Sequence, residues 1–172
     1  MFLDRDGVIN RAFVRDGRPF PPTSLDELEI LPDVPEALSL LKEYGFLLIV
    51  VTNQPDVGRG TQKKEMVDEM HTFLKYQLPL DDIFVCWHAQ DGECDCRKPK
   101  PGMLLEAADR YNIDLEISFM IGDRWRDIDA GYAAGCSTIF INRDYKESLQ
   151  KTPDVFVGSF AEAAEWICKK SI

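Results

Sequence analysis

The sequence has no apolar run long enough to span a bilayer. Its longest, Phe46 to Val51, is the length of one strand. It also lacks an excess of positive charge: 20 Lys and Arg stand against 30 Asp and Glu, a formal net charge of -10. Such a surface repels polyanions as a whole and argues against non-specific nucleic-acid binding, while leaving room for local cationic pockets that hold small anions. No secretory leader is legible, because Asp4 and Asp6 interrupt the first apolar residues. A cytoplasmic protein is therefore expected. Repeats and low-complexity tracts are absent. The five cysteines make an odd set, and Cys86, Cys94 and Cys96 crowd together. In a reducing compartment that crowding favours a metal over disulfides.

What is present reads as one domain over residues 1–172, long enough for a real core and short for two. Short apolar runs alternate with helical patterns. Strands are expected at Phe2-Leu3, Phe46–Val51, Ile83–Cys86, Ile117–Ile121, Ser137–Ile141 and near 154–157. Between them lie helical patterns. Asp33 is placed to cap the first, with Val34, Ala37, Leu38 and Leu41 inward and Gly45 ending it. Thr61 is placed to cap a second, with Met66, Met70, Phe73 and Leu74 inward. Pro101-Gly102 opens a third, which carries Leu104, Leu105, Ala108 and Tyr111. Asp127–Ala134 and Phe160–Lys169 complete the set. Fully apolar strands alternating with helices predict an α/β, Rossmann-like, doubly wound parallel sheet covered on both faces.

In such sheets the ligand site lies beyond the carboxyl ends of the strands. Polar residues follow four of the predicted strands: Asp4-Arg5-Asp6, Thr52-Asn53-Gln54, Cys86-Trp87-His88 and Gly122-Asp123-Arg124. All four clusters are expected on one rim. Carboxylates gathered there repel one another unless a hard cation sits among them, and magnesium suits a site with few protein oxygens. Cys86-x-His88 with Cys94-x-Cys96 supplies three thiolates and an imidazole, a closed four-ligand set suited to structural zinc. Such a zinc loop would fix the segment that delivers Arg97 and Lys98.

The stretch Phe2-Leu3-Asp4-Arg5-Asp6-Gly7-Val8-Ile9-Asn10 resembles the first motif of the haloacid dehalogenase-like (HAD) phosphatases. Thr52-Asn53-Gln54 resembles their second motif, Lys98 in Arg-Lys-Pro-Lys-Pro-Gly-Met their third, and Ile121-Gly122-Asp123-Arg124 with Asp127 their fourth. The resemblance implies Asp4 as nucleophile, forming an aspartyl-phosphate, and Asp6 as general acid and base. It implies magnesium held by Asp4, the Asp6 backbone carbonyl and Asp123. Thr52 and Lys98 would hold phosphoryl oxygens, and Asp127 would orient Lys98 or a bound water.

Within that superfamily the chain resembles the zinc-containing subgroup of heptose bisphosphate and histidinol phosphatases, and Cys-Asp-Cys-Arg-Lys-Pro-Lys-Pro-Gly-Met is especially similar to the heptose enzymes. The resemblance implies a small phosphorylated sugar substrate cleaved at its 7-phosphate. Asn53, Gln54, Arg97 and Arg124 are the expected substrate contacts, the two arginines holding the phosphate that is not cleaved. Pro55 departs from the small polar residue common there. No segment is long enough for a separate cap domain, and residues 11–18 are expected over the site. A monomer is expected. Histidinol phosphate, a DNA 3'-phosphate, or a zinc-stabilised binding module without turnover are the alternatives. Cys136 and Cys168 read as ordinary buried thiols, and His71 carries no assigned role.

Overall fold

The computed structural model describes residues 1–170. Six strands form one sheet: β1 (Phe2–Leu3), β4 (Ile49–Asn53), β5 (Asp82–Cys86), β6 (Phe119–Gly122), β7 (Ser137–Ile141) and β8 (Val155–Val157), in the order β5-β4-β1-β6-β7-β8. Every pairing in it is parallel. A separate two-stranded antiparallel hairpin, β2 (Phe13–Arg15) and β3 (Arg18–Phe20), follows β1. Its Asp16-Gly17 tip has positive φ at both residues, the geometry an Asp-Gly hairpin turn favours.

Alternate residues of each strand point to opposite faces, so each apolar strand feeds two cores. Leu3, Val50, Ile121 and Ile139 pack with Val34, Leu38 and Leu41 of α1 (Val34–Glu43) and with Phe160, Ala164 and Ile167 of α6 (Phe160–Lys170). Phe2, Ile49, Val51 and Met120 pack on the other face with Met103, Leu104 and Ala107 of α4 (Gly102–Tyr111) and Ala130 of α5 (Trp125–Ala134). Each fully buried leucine on these faces contributes roughly 1.5–3 kcal/mol. A short helix α2 (Pro55–Gly58) follows β4, and α3 (Lys64–Gln77) adds Leu74 to the first core. No described helix is long and apolar enough to cross a membrane.

Several expected boundaries move. Residues 46–48 finish the turn after α1 rather than starting the strand: Gly45 has a φ of +84° and the Phe46 amide donates to Leu41 O. The strand gains Thr52 and Asn53 instead, paired with Val85 and Cys86. Ile117 is 73% exposed and lies outside β6, which starts at Phe119. In α4 the buried face is Met103, Leu104 and Ala107, while Leu105 is 47% exposed. In α3 the buried residues are Val67, Met70, His71 and Leu74. Asp33 makes no cap to its own helix. Its Oδ2 accepts from the Ala161 amide at the start of α6, 3.1 Å away, and so joins two helices of one layer. Thr61 donates to Asp56 O at 3.2 Å, and α3 begins after Lys63.

Candidate active site and metal centre

Parallel strands leave their carboxyl ends on one rim, and four loops meet there. At the end of β1, the Asp4 amide continues the ladder by donating to Ile121 O at 2.9 Å, which fixes Asp4 between β4 and β6. Lys98 arrives from the loop before α4. Its Nζ donates to Asp4 Oδ1 and to Val51 O, each at 2.7 Å, and stands 2.7 Å from Asp127 Oδ1. Asp127 is in the first turn of α5; its Oδ2 accepts from the Arg124 amide at 3.0 Å, so the carboxylate caps the helix while gripping Lys98. Asp127 thus faces Lys98, one of the two partners that the family resemblance implies for it, the other being a metal-bound water.

Asp4, Asp123 and Asp127 are all buried, with one oxygen of each within 4.8 Å of the others. Three carboxylates face one ammonium, so two negative charges are uncompensated. Burial, with the Asp127 charge added and Lys98 opposing, pushes Asp4 up to about 6. Burial together with Asp4 and Asp127 pushes Asp123 well above the usual carboxylate range. Burial alone would pull Lys98 down, but Asp127 and Asp4 outweigh it and hold Lys98 up. Asp123 Oδ1 is buried without a hydrogen-bond partner. A divalent cation would balance the charge and give that oxygen a partner, so the donor set fits one.

The Asp6 carboxylate stands apart from this trio. It accepts from Arg5 Nη2 at 2.9 and 3.0 Å, from Asn10 Nδ2 at 3.0 Å and from Gln54 Nε2 at 3.1 Å. Gln54 also donates to Thr52 Oγ1 at 3.0 Å, leaving the Thr52 hydroxyl proton to donate elsewhere. Asn53 clamps the backbone of Lys98 from both sides, donating to its carbonyl at 3.0 Å and accepting from its amide at 3.1 Å. Asn53 and Gln54, expected to touch substrate, are thus engaged with the residues around them. Arg5 is fully buried and bonds His71 on α3 at 2.9 Å. Arginine has no acceptor, so His71 Nε2 is the acceptor and the ring is neutral. Burial and then the Arg5 charge lower His71 to about 4.

A cavity of about 530 Å³ opens above Asp4 and Asp6, flanked by the β2–β3 hairpin at Arg18 to Phe20. Residues 17–18 of the segment expected over the site therefore line it. Although the chain is acidic, seven basic side chains line this cavity against five acidic ones. Arg124, expected to grip substrate, is held in a two-bond pair with Glu147 at 2.9 and 2.8 Å. Arg97 donates to His88 O at 3.2 Å. Arg126 lies over the Trp125 ring, and burial with the nearby Arg124 and Arg97 charges pulls it down. Arg97, Arg124 and Arg126 thus place three guanidinium groups along one wall of the cavity. The segment 143–147 contributes Arg143, Tyr145 and Glu147, none of which sequence reasoning singled out. Tyr145 donates to Asp123 Oδ2 at 2.8 Å, and burial with the Asp123 charge holds its hydroxyl protonated.

At the end of β5, the four expected metal ligands come together, each offering an atom within 4.8 Å of the rest. Cys86 Sγ is 3.7 Å from Cys94 Sγ and 3.6 Å from His88 Nδ1, and Cys96 Sγ is 3.3 Å from that nitrogen. All five cysteines are free thiols. Zinc–sulfur bonds of about 2.3 Å around a tetrahedron give sulfur–sulfur edges of about 3.8 Å, and shorter zinc–nitrogen bonds give about 3.5 Å. The three contacts at 3.7, 3.6 and 3.3 Å lie close to those edges, so the donor set and spacing fit a tetrahedral metal. Cys136 and Cys168 are buried elsewhere in the core.

Comparison with known proteins agrees with this geometry. The "HAD-hyrolase-like" family model matches residues 95–163, which carry Lys98, Asp123 and Asp127. The D-glycero-beta-D-manno-heptose-1,7-bisphosphate 7-phosphatase of Escherichia coli K12 is 35% identical over 181 aligned positions, covering 97% of this chain and 86% of the relative. The protein of the same name from Vibrio cholerae serotype O1 is 38% identical over 160, covering 85% and 82%. The crystal structure of the D,D-heptose 1,7-bisphosphate phosphatase from B. bronchiseptica, complexed with magnesium and phosphate, superposes with a TM-score of 0.85 at 30% identity, covering 99% of this chain and 98% of the other. The chain belongs to the HAD-like hydrolases, in the family that includes these heptose-bisphosphate 7-phosphatases.

Proposed function

We propose that residues 1–172 form one catalytic domain, a magnesium-dependent phosphatase that hydrolyses the 7-phosphate of D-glycero-D-manno-heptose 1,7-bisphosphate and acts in the cytoplasm as a monomer. The observation that carries the reading is the buried trio Asp4, Asp123 and Asp127, with Lys98 between Asp4 and Asp127. Asp4, Asp123 and the Asp6 backbone carbonyl hold magnesium. Bound there, the cation supplies charge neutralisation and Lewis acidity.

Asp4 attacks phosphorus, forming the aspartyl oxygen–phosphorus bond as the bond to the sugar oxygen breaks. As general acid, Asp6 enters this step protonated, its pairing with Arg5 loosened when substrate binds, and gives that proton to the departing oxygen. It then takes a proton from water, whose oxygen attacks phosphorus and releases phosphate and the free Asp4 carboxylate. Lys98, already against Asp4, and the Thr52 hydroxyl stabilise the equatorial oxygens. Asn53 and Gln54 act by holding Lys98, Thr52 and Asp6 in place. Zinc in the Cys86, His88, Cys94 and Cys96 cluster fixes the loop that leads directly into Arg97 and Lys98.

The heptose assignment draws on the relatives and on the basic cavity. Arg97, Arg124 and Arg126 line its wall, suited to a second phosphate that stays uncleaved. Phosphate release with magnesium and with EDTA should be measured on both anomers of the heptose bisphosphate, on fructose 1,6-bisphosphate, on histidinol phosphate and on a 3'-phosphorylated oligonucleotide. A magnesium-dependent preference for the heptose bisphosphate supports the proposal. Preference for histidinol phosphate moves the substrate and keeps the mechanism, and silence on all of them overturns the heptose assignment and points to a substrate outside the panel or to the binding-module alternative.

A further inference from the structure

Asp123 is asymmetric. Its Oδ2 accepts from the Tyr145 hydroxyl at 2.8 Å, while Oδ1 is buried and has no hydrogen-bond partner among the described residues. A carboxylate turns about its Cβ–Cγ bond, and a donor on one oxygen stops that rotation. The other oxygen is then left for a single further electropositive partner.

Tyr145 is itself held firmly. It belongs to the segment after β7, outside every sequence motif, and its neighbours tie that segment down. Arg143 Nε donates to Gly7 O at 2.9 Å, the Lys146 amide donates to Gly17 O at 2.8 Å, and Glu147 pairs with Arg124. Gly7 makes the contact possible. Its φ is +89°, and a Cβ there would collide with Asp123 Oδ2 and sit 2.8 Å from the Tyr145 hydroxyl oxygen.

We propose that Tyr145 is the positioning residue for the catalytic cation: its hydroxyl fixes the rotation of Asp123 so that Oδ1 is presented to the metal. This inference rests on the reading of Asp123 as a magnesium ligand. Partners that orient a ligating carboxylate are worth roughly tenfold to a hundredfold in metal affinity.

The test is manganese binding, read by the EPR signal of the free ion, for wild type, Asp123→Asn and Tyr145→Phe. Phenylalanine keeps the ring and removes only the donor. Wild type should bind, Asp123→Asn should lose binding, and Tyr145→Phe should bind roughly tenfold to a hundredfold more weakly. Saturating metal should then restore most of the kcat of Tyr145→Phe, a recovery that general loss of structure does not give. Equal affinities for Tyr145→Phe and wild type, with Asp123→Asn impaired, overturn the role of Tyr145 alone. Unimpaired binding by Asp123→Asn overturns the metal-site reading and this inference with it.

Discussion

Lys98 and Asp4 are 94 residues apart in the chain, yet their charged groups meet at 2.7 Å, buried, at the carboxyl end of the sheet. The contact joins the proposed nucleophile to the cation that would neutralise what it attacks. Replacing Lys98 by Met leaves Asp4 and Asp127 buried without their partner. The loss of a buried ionic partner costs about 3–5 kcal/mol, and urea unfolding in EDTA should register a drop of that order. Activity should fall by at least about a hundredfold, as for loss of an oxyanion donor. Near-normal turnover in Lys98→Met would remove Lys98 from the chemistry.

The cavity arginines divide the labour. Arg124 is paired with Glu147, whereas Arg126 pairs with no carboxylate among the described residues and lies over the Trp125 ring. Charge-assisted bonds are worth about 1.5–3 kcal/mol, so Arg126→Ala should raise KM for a sugar bisphosphate by roughly tenfold to a hundredfold. KM for the corresponding monophosphate should hardly move. Steady-state kinetics on both substrates check this, and an equal rise on the two would deny Arg126 a second phosphate.

His71 makes stability depend on pH. Its folded value lies at about 4, below the ordinary 6.5, because burial and Arg5 disfavour the charged ring. Well above pH 6.5 neither state is protonated and the full stability is present. As pH falls from 6.5 toward 4, the unfolded chain takes up the proton first and stability declines, by about 3 kcal/mol in all. His71→Gln keeps an acceptor for Arg5 and removes the titration. Between pH 7.5 and 5, wild type should lose about 2 kcal/mol more than His71→Gln in urea unfolding. Parallel losses would contradict the buried neutral ring.

The thiol–imidazole cluster should hold metal independently of the carboxylates. Purified protein should carry zinc by elemental analysis, and Cys94→Ser should lose most of it. Thermal unfolding of that variant should shift downward, because binding energy in a closed site is folding energy. Activity should fall as well, since the cluster anchors the loop bearing Lys98. Unchanged zinc content in Cys94→Ser would require a different ligand set.

The rim was legible because an apolar run stops and polar residues follow, as at Leu3-Asp4 and Ile121-Gly122-Asp123, although at β4 the ladder runs two residues into the polar stretch, through Thr52 and Asn53. The Cys and His positions were legible because metal ligands have fixed chemistry and close spacing. Contacts that depend on distant packing left no such mark. Nothing in the local pattern around Tyr145 or Glu147 announces that they reach Asp123 and Arg124. Asp33 stands where a cap for α1 is expected, whereas tertiary packing turns its carboxylate to the start of α6. His71 interrupts an apolar stripe on α3 and acquires its meaning only from Arg5. The β2–β3 hairpin did leave a signal, the Asp16-Gly17 pair between short apolar and aromatic residues.

The central claim is that Asp4 is the nucleophile. Its direct test is rapid acid quench of the enzyme turning over heptose 1,7-bisphosphate with magnesium, followed by peptide mapping by mass spectrometry. The account predicts a phosphoryl group on the N-terminal peptide, localised to Asp4, and absent from Asp4→Asn, which should be folded and inactive. A phosphoryl group on another residue, or sustained turnover by Asp4→Asn, would contradict it.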